Sequence, residues 1–321
     1  MATSARGRIC AIAANPALDR IAVAPGAAAG GTVRATSYLD TPGGKAVHVA
    51  AAVRALGGEV ELVAVLGGDR GRTVARLLEE RRMDVRTVAI AAETRGTYAL
   101  VDPDAGDVVE VLEPSPALDD AELLELDRVL DAAVARADVV VASGSLPLGV
   151  AADFYARVVQ RAAAASATVL IDAHGDPLAR ALRASPDLVK PNLAEASTFL
   201  DRPLAEDAPV EELLAAARAL QRLGARHVWL SLGSRGSLLL DADGTATLLS
   251  LAVPVVVSAV GCGDAMLGGL AVGLARGSTL LEAARLGVAA AGEKLSRADP
   301  GLVDGAAAEA LLPAVTCRSL P

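Results

Sequence analysis

Short, almost uninterrupted apolar runs alternate along this chain with Ala-, Leu- and Arg-rich segments of helical period, and no other feature restricts the fold as much. Residues 9–13, 60–66, 139–142, 168–172, 188–189 and 228–232 predict strands, whereas 45–56, 73–82, 119–135, 153–165, 210–223 and 264–276 predict helices. Strands that are apolar throughout belong to a parallel sheet covered on both faces. The predicted class is therefore α/β, with ligands expected at the carboxyl ends of the strands. Two segments break the alternation: 20–38, and 97–112, which alternates like a hairpin around Asp102-Pro103-Asp104-Ala105-Gly106. Both leave and rejoin the α/β body, so the expectation is one unit spanning 1–321 with the two segments paired as a small β-sheet lid; an ordinary edge hairpin is the plainer alternative.

Composition narrows the function. With 321 residues the chain can bury a large core, and with 53% hydrophobic but only 2% aromatic residues that core must be aliphatic, Trp229 being the sole indole. Base stacking on aromatic platforms is excluded as a main activity. Thirty Lys and Arg against 39 Asp and Glu leave a net charge of −9, which disfavours nucleic acid and anionic membrane as partners. An anionic ligand must be held by local contacts. Cys10, Cys262 and Cys317 are too few and scattered for a disulfide framework or a zinc site. No apolar stretch reaches the roughly 18 residues of a membrane span, and the short apolar run at 9–14 is unlike a secretory signal. A cytoplasmic location is expected.

The stretch most charged with chemistry is Val257-Ser258-Ala259-Val260-Gly261-Cys262-Gly263-Asp264-Ala265-Met266, where a β-branched run meets two glycines and a helix. Glycines at a helix start let bare amides converge on an anion, with the helix dipole adding to the attraction. Asp264 then stands where a carboxylate can face a hydroxyl, although a helix-capping aspartate is the commoner use of such a position. Two familiar phosphate loops are excluded. Gly43-Gly44-Lys45-Ala46 lacks the upstream glycine and the Ser/Thr of a P-loop, and Gly261-x-Gly263-x-x-Met266 lacks the third glycine of a dinucleotide fingerprint.

From Asn15 to about Gly277 the chain resembles the PfkB-type sugar kinases of the ribokinase-like fold, within them the 1-phosphofructokinase and tagatose-6-phosphate kinase branch. The resemblance rests on an ordered set: Asn15-Pro16-Ala17-Leu18-Asp19, Thr41-Pro42-Gly43-Gly44-Lys45, Glu93-Thr94-Arg95, Glu113-Pro114-Ser115-Pro116, Ser143-Gly144-Ser145-Leu146-Pro147, Lys190-Pro191-Asn192-Leu193-Ala194-Glu195, Ser231-Leu232-Gly233-Ser234-Arg235-Gly236, and the turn before Asp264.

The resemblance implies ATP and Mg2+ as cofactors and a role for each residue. Asp264 becomes the base for the accepting hydroxyl, and the amides of Gly261, Cys262 and Gly263 neutralise the transferring phosphoryl group. Asp19, Gly43, Gly44 and Lys45 face the sugar, with His48, which departs from the family pattern, either contacting the ligand or serving only as a helix residue, and Arg95 with Ser145 holds a substrate phosphate. Lys190 approaches the ATP phosphates, Asn192 and Glu195 reach magnesium largely through water, and Ser231, Gly233 and Gly236 wall the nucleotide. Each has a plainer reading: a salt bridge for Arg95, turn hydroxyls, a helix-start capping box for Asn192 and Glu195.

The chain also departs from the family pattern. Ala46-Val47-His48 stands where Gly-x-Asn is usual, Thr97 replaces Asn, Cys262 replaces Ala and Ala265 replaces Ser. Glu293-Lys294-Leu295 interrupts a small-residue pattern near the adenine. The expected activity is ATP-dependent phosphorylation of a ketohexose phosphate, with a homodimer through the lid. A neutral-sugar or nucleoside kinase and a non-catalytic sugar-binding homologue are the alternatives.

Overall fold

The computed structural model describes residues 7–26, 32–102, 104 and 107–320. In chain order its first half runs β1 (Arg8–Ala13), β2 (Ala17–Val23), β3 (Ser37–Gly43), α1 (Lys45–Ala55), β4 (Glu59–Gly67), α2 (Gly68–Glu80), β5 (Asp84–Ile90), β6 (Arg95–Asp102), β7 (Asp107–Leu112), α3 (Asp120–Val134) and β8 (Val139–Ser143). There follow α4 (Phe154–Ala164), β9 (Thr168–Asp172), α5 (Gly175–Arg183), β10 (Leu188–Val189), α6 (Leu193–Phe199), α7 (Val210–Arg222), β11 (His227–Ser231), β12 (Ser237–Leu240), β13 (Ala246–Ser250), α8 (Cys262–Ala275), α9 (Leu280–Lys294), α10 (Gly305–Leu311) and β14 (Thr316–Leu320).

Ten strands form the main sheet in the order β14-β13-β12-β11-β10-β9-β8-β1-β4-β5. The pairs from β11 to β5 are parallel, and β12, β13 and β14 add an antiparallel margin. Side chains alternate between the faces of a strand, so Cys10 and Ile12 of β1 and Val140 and Ala142 of β8 join one buried cluster with α3, α4 and α7. Ile9, Val139 and Val141 join the other, with α1, α8 and α9. The second layer is thin because its helices meet at glycines: a Cβ on Gly269 of α8 would lie 2.6 Å from Cα of Gly287 in α9. Trp229 is fully buried there and donates its indole N–H to Ser237 Oγ (3.0 Å).

The segments expected to pair do so, in a separate four-stranded sheet of order β3-β2-β6-β7. β2 runs parallel to β6, with Asp19 opposite Thr97, and antiparallel to β3, with Asp19 opposite Thr41. The strands extend past the expected bounds: the first segment starts at Ala17 and ends at Gly43, and the second starts at Arg95. Pro103, Ala105 and Gly106 of the expected hairpin turn, and 27–31 of the first segment, lie outside the described residues. Among the described residues no helix is long and apolar enough to cross a membrane.

Candidate active site

At the head of α8 the chain turns on Gly261, which has left-handed backbone (φ 83°) and whose missing Cβ would lie 2.2 Å from the carbonyl of Pro300. No side chain fits in that contact. Of the three amides expected to face an anion, that of Cys262 already donates to Ala259 O (3.2 Å). The first-turn amides of Gly263 and Asp264 have no partner within the helix. Lys190 reaches the same spot, its Nζ lying 3.1 Å from where a Cβ on Gly263 would stand. Burial raises the Cys262 thiol to about 11, so it stays neutral near pH 7.

Asp264 lies in the first turn of α8 but makes no capping bond; the N-cap is Gly261. Its carboxylate instead meets His48 of α1, Nδ1 to Oδ2 at 3.1 Å, while the opposite ring nitrogen, Nε2, lies 3.6 Å from Asp19 Oδ2. One imidazole thus stands between two carboxylates. Burial opposes its charge, but hydrogen bonding and attraction to Asp19 and Asp264 outweigh burial and raise its pKa to about 9. Asp19 also accepts from Thr97 Oγ1, and the space beside it exists because residue 43 is glycine: a Cβ there would fall 2.1 Å from the carboxylate.

A second charge cluster sits at the carboxyl ends of β9 and β10. Asp172, almost fully buried, accepts from Lys45 Nζ (3.0 Å) and lies 3.0 Å from Lys190 Nζ. Burial alone would raise the pKa of Asp172, yet the two lysines hold it below the ordinary carboxylate range. Lys45 also reaches Glu195 (3.1 Å). Its ammonium is therefore shared by two carboxylates. Asn192 and Glu195 form the capping box of α6, each side chain accepting from the other's amide. Ser231 is bridged to Asn192 at the strand ends, and Gly233 and Gly236 (φ 60° and 87°) shape a 3-10 turn after β11.

Arg95 opens β6, where its guanidinium donates to the carbonyl of Asn15 at 3.3 and 3.4 Å. Among the described residues it has no ion-pair partner. Nearby arginines do: Arg81 binds Asp299 and Arg70 binds Glu113. Burial lowers the Arg95 pKa, but an arginine remains charged. The Asn15 amide donates to Ser145 Oγ (2.8 Å) and Ser115 Oγ (2.7 Å), tying three elements of the expected set together. Sequence reasoning quoted Asn15 but gave it no role, and it passed over Asp172. The signal for Asp172 was its place as the last residue of a parallel strand.

An α/β body with an anion-binding helix start, a nearby carboxylate and flanking lysines defines a phosphotransferase. The pfkB family carbohydrate kinase pattern matches residues 8–303, and the chain belongs to that family. It is 32% identical to the 1-phosphofructokinase of Rhodobacter capsulatus over 98% of both chains. It is 34% identical to the ATP-dependent 6-phosphofructokinase isozyme 2 of Mycobacterium tuberculosis (strain H37Rv) over 88% of this chain and 82% of that one. Its fold superimposes on Escherichia coli phosphofructokinase-2 in complex with fructose-6-phosphate with a TM-score of 0.84 at 28% identity, covering 96% of this chain and 98% of the other. The protein is a sugar kinase.

The His48 bridge gives a pH test. A folded-state pKa of about 9 against about 6.5 unfolded means that the imidazolium stabilises the fold fully below pH 6.5, and that this stabilisation disappears as pH rises through 9. The difference corresponds to about 3 kcal/mol. Urea unfolding of the protein and of His48→Gln between pH 6 and 9.5 should show a stability gap that narrows as pH rises; a gap that widens or stays flat contradicts the bridge.

Proposed function

We propose that the protein catalyses ATP-dependent transfer of a phosphoryl group to a hydroxyl of a ketohexose phosphate, of the fructose 1-phosphate, fructose 6-phosphate or tagatose 6-phosphate class. The observation that carries the phosphorylated substrate is Arg95, a half-buried guanidinium that among the described residues has long bonds to one carbonyl and no ion-pair partner. A desolvated charge without a counter-charge is costly. A substrate phosphate, received bidentately beside Ser145, supplies the missing partner. Relatives named for phosphofructokinase activity support the same class.

In this reading the sugar lies against the Asp19–His48–Asp264 bridge, and its hydroxyl gives its proton to the Asp264 oxygen that His48 does not hold. An aspartate of ordinary basicity suffices, because phosphoryl transfer passes through a loose transition state and placement matters more than strength. The amides of Gly263 and Asp264 and the ammonium of Lys190 face the transferring group, and Ser231, Gly233 and Gly236 border the nucleotide. Among the described residues no group of three His, Cys, Asp or Glu side chains is placed to hold a metal ion. That suits Mg2+ arriving with the nucleotide phosphates and keeping its waters, with Asn192 and Glu195 behind them. The ion would neutralise phosphate charge.

The small sheet carries Asp19 and Arg95 on adjacent strands, so it acts as the lid of the sugar site. Tyr38, Val109 and Val111 share the face away from Asp19 and leave it apolar and exposed by 56 to 70%. Pairing of two such sheets in a homodimer covers them.

Arg95→Ala should weaken the sugar phosphate by about 2–5 kcal/mol, the usual loss when one partner of a desolvated charge pair is removed, while the KM for ATP changes little. Asp264→Asn should bind both substrates yet lose turnover about a hundredfold or more. Both are read by ADP release across a panel of sugars and sugar phosphates. Faster turnover of neutral fructose, ribose or a nucleoside, with Arg95→Ala harmless, overturns the substrate class. Sedimentation at micromolar concentration should show a dimer that Val109→Asp with Val111→Asp splits; a monomeric parent contradicts pairing through the lid.

A further inference from the structure

The last turn of α9 holds a charge that phosphoryl transfer leaves unused. Lys294 is 0% exposed, and its Nζ donates to two backbone carbonyls, Ser258 O (3.2 Å) and Arg297 O (2.9 Å). A lysine this deep is ordinarily paired with a carboxylate. Here the adjacent carboxylate is taken: Glu293 accepts from Arg297 Nε (2.5 Å) and from the amide of Asp304 (2.9 Å). Among the described residues Lys294 has no ion-pair partner. Burial pushes its pKa down, and the carboxylates Asp299 and Glu293 pull the other way.

The two carbonyls belong to the two walls of the glycine turn. Ser258 lies three residues before Gly261 in the loop leading to α8. Arg297 lies three residues before Pro300, whose carbonyl occupies the place where Gly261 would carry a Cβ. Val255, Val256, Val257 and Val260 of the Ser258 loop are exposed by 45 to 66%. Besides Lys294, the loop is tied by Val257 and Ser258 N–H to Leu295 O (2.6 and 3.3 Å), by Cys262 N–H to Ala259 O (3.2 Å), by Val260 N–H to Ser258 Oγ (3.3 Å) and by the Cys262 thiol, which donates to the same Ser258 carbonyl (3.9 Å). A single positive charge among backbone carbonyls, at the negative end of a helix and without a carboxylate, is the chemistry of a monovalent-cation site.

We propose that Lys294 is a built-in monovalent cation whose ammonium ties the Ser258 and Arg297 walls around Gly261, so that the anion-binding turn at the head of α8 stays formed without a cation from solution. Lys294 touches no substrate in this account and is a positioning residue. Its effect on turnover rests on the kinase reading above; its effect on cation binding does not.

The test compares the protein with Lys294→Ala and Lys294→Gln in buffers whose monovalent cation is tetramethylammonium, K+ or NH4+. Wild-type kcat should vary less than about twofold among the three buffers. Lys294→Ala in tetramethylammonium should lose about tenfold or more in kcat with a smaller change in the KM for sugar phosphate, and K+ or NH4+ should restore it. Lys294→Gln keeps a donor but not the charge, and should stay low in all three. Thermal melts need no turnover: K+ should raise the melting temperature of Lys294→Ala, as binding to the folded state alone requires, and leave the wild type unmoved. A wild type that requires K+ overturns the proposal. So does a Lys294→Gln protein of normal kcat, or a folded Lys294→Ala protein that K+ and NH4+ restore in neither kcat nor melting temperature. If the wild type phosphorylates no sugar, the kinase reading fails and the melts still decide this point. Should Lys294→Ala not fold, the wild-type and Lys294→Gln arms decide it.

Discussion

The imidazole of His48, set between Asp19 and Asp264, is the contact on which the site depends. Each carboxylate comes from a different part of the fold, Asp19 from the small sheet and Asp264 from the head of α8, and α1 carries the imidazole between them. Two carboxylates drawn this close in a poorly solvated place repel one another. A shared imidazolium removes that repulsion and joins the lid to the body electrostatically. It also occupies only one oxygen of Asp264, leaving the other for a hydroxyl.

Charge is balanced in the same way across the rest of the site. Asp172 lies between Lys45 and Lys190, and Glu195 shares Lys45. The protein as a whole carries −9, so no long-range field gathers anions, and recognition depends on what is left unpaired locally. Arg95 is left so on the sugar side. The amides of Gly263 and Asp264 are left without a partner in the helix on the phosphoryl side, with Lys190 beside them. Lys294 belongs to the same economy of charge, one layer further back.

The sequence made the parallel body legible because its strands are apolar throughout: β9 and β10 fall on their expected residues and β1 differs by one. The helix α9 was not foreseen, since nearly all of its sides are buried against small neighbours and no polar stripe marks it as amphipathic. The marginal strands β12 to β14 are short and antiparallel, and β14 reads as polar because it is an exposed edge. In the site, the glycine turn and Asp264 were visible because local chain geometry dictates them. The capping box of Asn192 and Glu195 was visible for the same reason. The commitment of Lys45 to Asp172, and the bridging position of His48, depend on residues more than a hundred positions apart, which no local pattern encodes.

The central claim is that His48 is an imidazolium held by two carboxylates, and titration of the histidine ring resonances by NMR tests it most directly. The chain has three histidines, so His48 is assigned by comparison with His48→Gln. The account predicts a ring that stays protonated past pH 8 and titrates near 9. A His48 resonance that titrates at or below 6.5, the ordinary value, would contradict it.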